Sequence, residues 1–307
     1  MSLWSVKFEA ISPLIALPNS QTIFGTICTY YAMQYGDSEL EKLLNRMEKK
    51  EYPFIVSSMF YENMLPCPLN FEMKGLKVES KEDTQLLKSI KKVKYFSKEV
   101  FKFYKKNQNL FNTYLLFNHI RENEFVIVNN CLTTKEEYEL FKFKIVEEMR
   151  IRVNVNEEQY YNDLLIHLPK GTKLEFYIEI NDEELKDKIL SLLESMKYIS
   201  FGGSKSVGYN MFSFSSITEE DDLKSQKPAL LISLATGNSL IDYENSFYQL
   251  VSINNRFTNT TEVVNRKNVI AFKEGSVISC NDTVIGEVIK EENENGITYQ
   301  NFVGLLI

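Results

Sequence analysis

The chain has 307 residues, with 35 Lys and Arg against 42 Asp and Glu, a formal charge of −7 and a pI near 5.2. Apolar residues make up 44% and charged residues 25%, the balance of a soluble globular protein long enough to divide into two domains. That balance excludes collagen-like, mucin-like and wholly disordered chains, and the acidic total removes the simplest argument for nucleic-acid binding.

Residues 2–11 alternate in part (Leu3, Trp4, Val6, Phe8, Ala10) and predict a strand. Asn19 and Ser20 are good N-caps for a helix from Gln21 to about Gln34, whose Ile23, Ile27, Tyr30 and Tyr31 share one face; Gly36 is its stop. A short amphipathic helix is expected over 38–48, then a strand-like run over 53–60. Leu65-Pro66-Cys67-Pro68 must be extended, because two prolines forbid helix there. Residues 83–106 read as one strongly basic helix, with Lys88, Lys91, Lys92, Lys94, Lys98, Lys102, Lys105 and Lys106 against Glu99 alone. A solvated face is the ordinary reading of such a run; contact with phosphates or an acidic partner is the functional one.

Period two returns over 141–155, where Phe141, Phe143, Ile145, Met149, Ile151, Val153 and Val155 oppose Lys142, Lys144, Arg150 and Arg152. This predicts a strand or hairpin arm with a wet basic face and a turn or bulge at Glu147-Glu148. A turn at 168–171, a strand over 172–180 and the clearest helix in the chain, 182–197, follow. Then come a glycine-rich loop, 201–210, and a strand over 211–217. The charged stretch 218–228 reads as a linker. From Ala229 the chain is mostly strand-like (229–235, 247–253, 269–272, 276–279, 284–289, 302–306), with a polar turn at 291–296. No tandem repeat is present.

The expected fold class is therefore α+β, with two ferredoxin-like (RRM-like) domains. Residues 1–217 form the first, a β-α-β-β-α-β unit carrying a helical insertion (about 76–125) and a hairpin (about 141–167); 229–307 form a reduced, mostly β second domain. No window approaches 18 uncharged apolar residues, so no membrane span is expected. The start of the chain lacks the pattern of a secretory signal. Cys28, Cys67, Cys131 and Cys280 form no C-x-x-C pair, so a reduced cytoplasmic protein without metal or cofactor is expected.

Chemistry concentrates in the loop Phe201-Gly202-Gly203-Ser204-Lys205-Ser206-Val207-Gly208-Tyr209-Asn210. Glycine permits positive φ and lets backbone N–H groups converge on an anion. Ser204, Ser206 and Lys205 add hydroxyls and a cation, and Tyr209 is a candidate stacking ring. Gly203 and Gly208 have Walker spacing, but Tyr209-Asn210 follows where Lys-Ser is required, and the element order is reversed. A tight helix-to-strand turn that uses glycine only for geometry is the plain alternative. Catalysis is poorly supported: His119 and His167 lie near no nucleophile elbow, no carboxylate pair stands out, and no metal cluster is evident.

These residues resemble a known family. Ser20 to Ile27, residues 53–60 with Leu65-Pro66-Cys67-Pro68, Leu168 to Thr172 leading into Gly202 to Tyr209, and Lys267 to Ile278 run in the order found in the RAMP proteins of CRISPR effector complexes. They are most similar to the subunit of the type III-A (Csm) complex that holds the crRNA 5′ tag. Gln21, Cys67 and Asn210 depart from that pattern; Asn210 stands where glycine is common, and asparagine tolerates left-handed backbone angles.

The resemblance implies a non-catalytic RNA-binding subunit. Its partners would be the crRNA 5′ tag, a large polymerase-like signature subunit and an adjacent RAMP backbone subunit. It also implies a thumb-like hairpin that bends the RNA, for which 141–167, with Arg150 and Arg152, is the candidate. The expected RNA groove combines the start of the first helix (Ser20, Gln21), Arg150, Arg152 and Gly202, Gly203, Ser204, Lys205, Ser206, Gly208 and Tyr209. Two other readings stay open: a metal-independent RAMP endoribonuclease acting on precursor crRNA, and a purely structural adaptor.

Overall fold

The structure, a computed structural model, describes residues 2–70, 80–107, 118–143, 145–154, 159–202, 208–220, 222–223, 228–253, 256–258, 263–265, 267–281, 284–293 and 296–307. The first strand, β1 (Ser2–Ala10), leads into helix α1 (Ser20–Tyr35). Asn19 caps α1: its side chain accepts from the Thr22 N–H at 3.0 Å, meeting one of the donors a helix start leaves open. Gly36 ends α1 at φ 91° and leads directly into α2 (Asp37–Glu48). Strands β2 (Phe54–Val56), β3 (Phe60–Tyr61) and β4 (Met64–Pro66) follow.

The basic run is not one helix. It divides into α3 (Lys81–Ile90), strand β5 (Tyr95–Ser97) and α4 (Lys98–Lys106). Ser97 caps α4 by accepting from the Val100 N–H, so a new helix begins where periodicity alone extends the old one. Strands β6 (Phe125–Val128) and β7 (Cys131–Thr134) join β4 and β5 in a four-stranded sheet ordered β4-β5-β7-β6. The insertion is thus a small mixed unit rather than a purely helical one, because Phe96 and Phe125 to Val128 place apolar side chains in short strands that suit a buried sheet better than a helix.

After the short helix α5 (Tyr138–Phe141) the chain forms the hairpin of β8 (Val146–Asn154) and β9 (Gln159–His167). Glu147 and Glu148 are paired within β8, opposite Ile166 and Leu165, so the expected break there is absent. Strand β10 (Lys173–Ile180), helix α6 (Glu183–Ser195), β11 (Tyr198–Ser200) and β12 (Met211–Glu219) complete the first half.

The main sheet is ordered β11-β12-β1-β10-β2, with β3 also on β10 and every pairing antiparallel. Helix α1 lies between β1 and β2 in sequence, and α6 between β10 and β12. This is the strand–helix order expected for residues 1–217, with the large insertions ahead of the third strand of that unit.

The two faces of this sheet carry different chemistry. Val6, Phe8, Phe176, Ile178 and Phe212 pack on the helix side; Phe8 contacts Phe176, Phe201 and Phe214. The other face carries Ser5, Lys7, Glu175 and Tyr177, and the insertion sits over it. Glu175, fully buried, accepts from Ser5 Oγ (2.9 Å), the Asn63 N–H (2.8 Å), Tyr177 Oη (2.7 Å) and Lys98 Nζ (3.3 Å). Lys98 Nζ also reaches Glu220 at 2.8 Å. A buried carboxylate is tolerable only with its lone pairs filled in this way.

The remaining chain is mostly β. It contains β13 (Ala229–Leu230), β14 (Leu250–Ile253), β15 (Arg256–Thr258), β16 (Val263–Asn265), β17 (Val269–Phe272), β18 (Val277–Ile278), β19 (Ile285–Asn293) and β20 (Gly296–Gly304). They pair as β13-β18, β14-β17, β15-β16 and β19-β20, and this half has no helix among its described residues. The core is continuous across the chain. Leu230, Ile232, Val277, Val303, Leu305 and Ile307 belong to the same buried cluster as Phe8, Ile23 and Phe176.

Candidate nucleic-acid interface

The four resemblance-bearing blocks meet around the start of α1. Gly202 has φ 87°, and a Cβ placed on it would lie 3.3 Å from Thr22 Cγ2. The glycine loop therefore enters against the first turn of α1, an approach that the missing side chain makes room for. At the loop's far end Gly208 has φ 78° and Asn210 has φ 55°. Asn210 is buried; its N–H donates to Pro13 O (3.0 Å) and its Oδ1 accepts from the Ile15 N–H (2.8 Å). The asparagine at the departing position thus adopts the left-handed angle expected of it and clamps the segment between β1 and α1.

The hairpin base sits beside the same loop. Leu14 and Ile166 exchange backbone hydrogen bonds of 2.9 and 2.7 Å, tying β9 to the segment that Asn210 clamps. Arg150 is exposed. Hydrogen bonds to the Glu148 carboxylate, 3.1 Å away, and to the Tyr209 phenol raise its pKa above the ordinary guanidinium value. Arg150 in turn holds Glu148 below the usual carboxylate range, helped by His167 Nε2 at 2.8 Å from Glu148 Oε2. So Arg150, Tyr209, Gly202, Gly208 and the α1 start are brought together. The backbone register sets Arg152 on the same face of β8 as Arg150, opposite Tyr161; its side chain lies outside the described residues, as do Gly203, Ser204, Lys205 and Ser206.

Ser20 and Gln21 have a different use here. The Ser20 N–H donates to Ser58 Oγ (3.0 Å), and Ser20 Oγ accepts from the Leu234 N–H (3.1 Å). Gln21 Nε2 donates to the Asn301 carbonyl while its Oε1 accepts from the Asn301 N–H at 3.0 Å. Both side chains are engaged in joining α1 to the C-terminal half. Ser58 Oγ donates to Glu274, and the Leu69 N–H donates to Gly275 O at 2.9 Å. The second and fourth blocks therefore meet the first at this junction.

Beside the junction opens a cleft of about 660 Å³, lined from three directions. Asn19 and Ser58 come from the first unit, Pro66 to Leu69 and Ile90 to Tyr95 from the insertion, and Gln249, Lys273 and Glu274 from the C-terminal half. Sequence reasoning missed it, because its lining comes from segments far apart in the chain. Its only sequence trace is the lysine run, read there as a helix face. A smaller cavity of about 340 Å³ lies under the hairpin base, between 9–13 and His167, Leu168 and Lys170.

The sheet face that a single-domain RNA binder uses for base stacking is covered here by the insertion, so the aromatic wealth of the sequence serves the core. His119 packs between Phe103 and Phe125 and pairs with Glu124. Its ring and the Glu122 and Glu124 carboxylates are the one metal-capable grouping among the described residues, at an exposed turn of the insertion. All four cysteines are free, and burial pushes the Cys28 and Cys67 thiols up to about 12, which disarms them as nucleophiles. Among the described residues no helix is long and apolar enough to cross a membrane.

No protein-family model matches the chain, and no curated protein matches it either. Solved structures share its fold. At 21% identity and a TM-score of 0.65, covering 100% of this chain and 98% of the other, it is similar to a chain of a Csm3-Csm4 subcomplex from a type III-A CRISPR-Cas interference complex. A chain of a Csm1-Csm4 cassette in complex with pppApA matches at 18% identity and a TM-score of 0.60, covering 100% and 97%. The same cassette with AMPPNP gives 18% and 0.58 over the same shares. The chain shares the α+β fold of these Csm chains. Csm4 is the component that these complexes have in common.

Proposed function

We propose that the chain is a non-catalytic RNA-binding subunit of a type III-A CRISPR effector, one that holds the 5′ tag of the crRNA and joins the large signature subunit to the RAMP backbone. The observation that carries this reading is the meeting of the glycine loop, the α1 start and the hairpin base, with Gly202 against Thr22 and Arg150 on Tyr209. The α1 start offers the positive end of its dipole, with the Ser20 and Thr22 N–H groups already taken by Ser58 and Asn19; the loop adds Lys205 and hydroxyls; the Arg150 fork can pair with phosphate or stack on a base. An extended, unpaired strand fits such a surface, with stacked bases contributing roughly 1–3 kcal/mol each.

His119 packs against Phe103 and Phe125 on the insertion, so the endoribonuclease reading would have to use His167, paired with Glu148 at the hairpin base. Docking to protein partners has its own support: the outer side of the β14-β17 ladder leaves Leu250 55% and Ile270 67% exposed beside Tyr243 and Tyr248, an apolar surface suited to an assembly.

The test is crRNA affinity of the assembled complex with Arg150→Ala and Lys205→Ala, read at two salt concentrations. The expected result is weaker binding and a log–log salt slope flatter by about 0.7 for each phosphate that is no longer neutralised. Unchanged affinity and slope, with no crosslink from RNA to 202–209, would leave the structural adaptor. A single-site cut of repeat RNA by the pure chain without metal would establish the endoribonuclease.

A further inference from the structure

We propose that the 660 Å³ cleft between the insertion and the C-terminal half is a nucleotide pocket, which seats one unpaired nucleotide together with its phosphate. The inference deepens the RNA-binding reading above and rests on it where the nucleotide belongs to RNA. It uses none of the residues assigned to the groove there.

The volume lies within the range of about 300–1,000 Å³ typical of pockets that enclose small organic ligands. Lys91 and Lys94 approach from the insertion and Lys273 from the C-terminal half. All three are exposed, and none has an ion-pair partner among the described residues. Their neighbour in the basic run, Lys98, is spent on Glu175 and Glu220, and Lys102 on Glu99 and Asp222. Lys91, Lys94 and Lys273 thus remain unpaired at the cleft, where Glu274 is the one acidic residue among the described residues of the lining.

Three cations fit an anion, and the rest of the lining fits a base. Pro66, Pro68 and the half-buried Tyr95 ring give flat apolar walls for a base to lie against. Gln249 offers an amide donor and acceptor. Glu274 is held by the Ser58 hydroxyl, and a carboxylate so fixed accepts from an exocyclic amine while repelling a phosphate. Phosphate on the lysine side and an amino-bearing base toward Glu274 is the arrangement that the charges allow. The ligand is a free mononucleotide or the terminal nucleotide of a bound strand.

The experiment has two arms. Adenosine and uridine 5′-monophosphates are titrated into the full-length chain by calorimetry. In parallel, the assembled complex is crosslinked with crRNA carrying 4-thiouridine at its 5′-terminal or at an interior tag position, and the attached peptides are mapped. Each arm is repeated with Lys91→Ala/Lys94→Ala/Lys273→Ala and with Lys88→Ala, a solvent-facing control outside the cleft. Binding of the adenosine nucleotide in preference to the uridine one, weakened about tenfold or more by the triple variant as its cations are removed, establishes a free-nucleotide pocket. A crosslink from the terminal nucleotide to the peptide holding Tyr95 or Gln249, abolished in the triple variant and kept in Lys88→Ala, establishes a strand-end pocket. Neither nucleotide binding nor a terminal crosslink to the cleft overturns the proposal, as does a triple variant that leaves both unchanged. Should the complex hold RNA through Arg150 and 202–209 while the cleft stays empty, the pocket falls and the groove stands. Should it hold no RNA at all, the groove falls and the titration alone decides the pocket.

Discussion

On the proposed RNA-binding reading, a phosphate would have to compete with Glu148 for Arg150. The guanidinium is exposed and bonded to that carboxylate at 3.1 Å, so phosphate must displace it. Exposed pairs of this kind are weak, because water screens them and two long side chains must be held still. Glu148→Gln is therefore expected to tighten RNA binding by only about 1.5- to 5-fold, measured by filter binding of the assembled complex. Because the Glu148 pKa is depressed by Arg150, the competition persists above the ordinary carboxylate value and fades as pH falls through the lowered one. The gain of the variant over the parent should therefore shrink in acid. Lys98 is the opposite case: it is buried and neutralises Glu175, which has no exposed surface. Lys98→Met strands that carboxylate and is expected to cost about 3–5 kcal/mol, read from urea unfolding of the full chain. The two lysine environments, free at Lys91 and sealed at Lys98, are identical in sequence terms.

At the level of the element, α6 shows what local chemistry can do. Asp182 accepts from the Glu184 and Leu185 N–H groups at 2.9 and 3.2 Å and pairs with Arg46 of α2 at 2.7 Å. Asp182→Ala should cost about 1 kcal/mol for the cap, with Asp182→Asn keeping most of it; thermal melts distinguish them. The Arg46 hydrogen bond is the largest cause lowering the Asp182 pKa. A depressed folded pKa means that this stability is present above the unfolded value near 3.9 and lost as pH falls through the folded one. The asparagine variant, having no such group, should lack that acid loss. Periodicity and caps made α1, α2, α6, β1, β10 and β12 legible, because each carries its signal within its own residues. The basic run failed as one helix because residues 91–97 turn and enter a sheet whose partners, β4 and β7, lie elsewhere in the chain. The β8 glutamates were misplaced for a related reason: a half-exposed hairpin tolerates charge on either face.

Across the whole molecule the two halves share the main core cluster, beside two smaller clusters within the C-terminal half. Residues from 230 to 307 pack in the same cluster as β1, α1 and β10, and Ser20, Gln21 and Ser58 spend their polar groups on the C-terminal half. A fragment of residues 1–217 would expose that apolar surface. It is expected to unfold without cooperativity, or to aggregate, where the full chain melts in one transition; calorimetry of both checks this. The sequence alone determined the α+β class, the starts of α1 and α6, the glycine loop and the ordered blocks that carry the resemblance, since all of these rest on near neighbours along the chain. Which lysines stay free, why Ser20 and Gln21 turn toward the C-terminal half, that the stacking face of the sheet is covered, and that a cleft exists were decided by tertiary structure alone. Burial and charge pairing depend on groups more than a hundred residues apart, and no local pattern records which of them will meet.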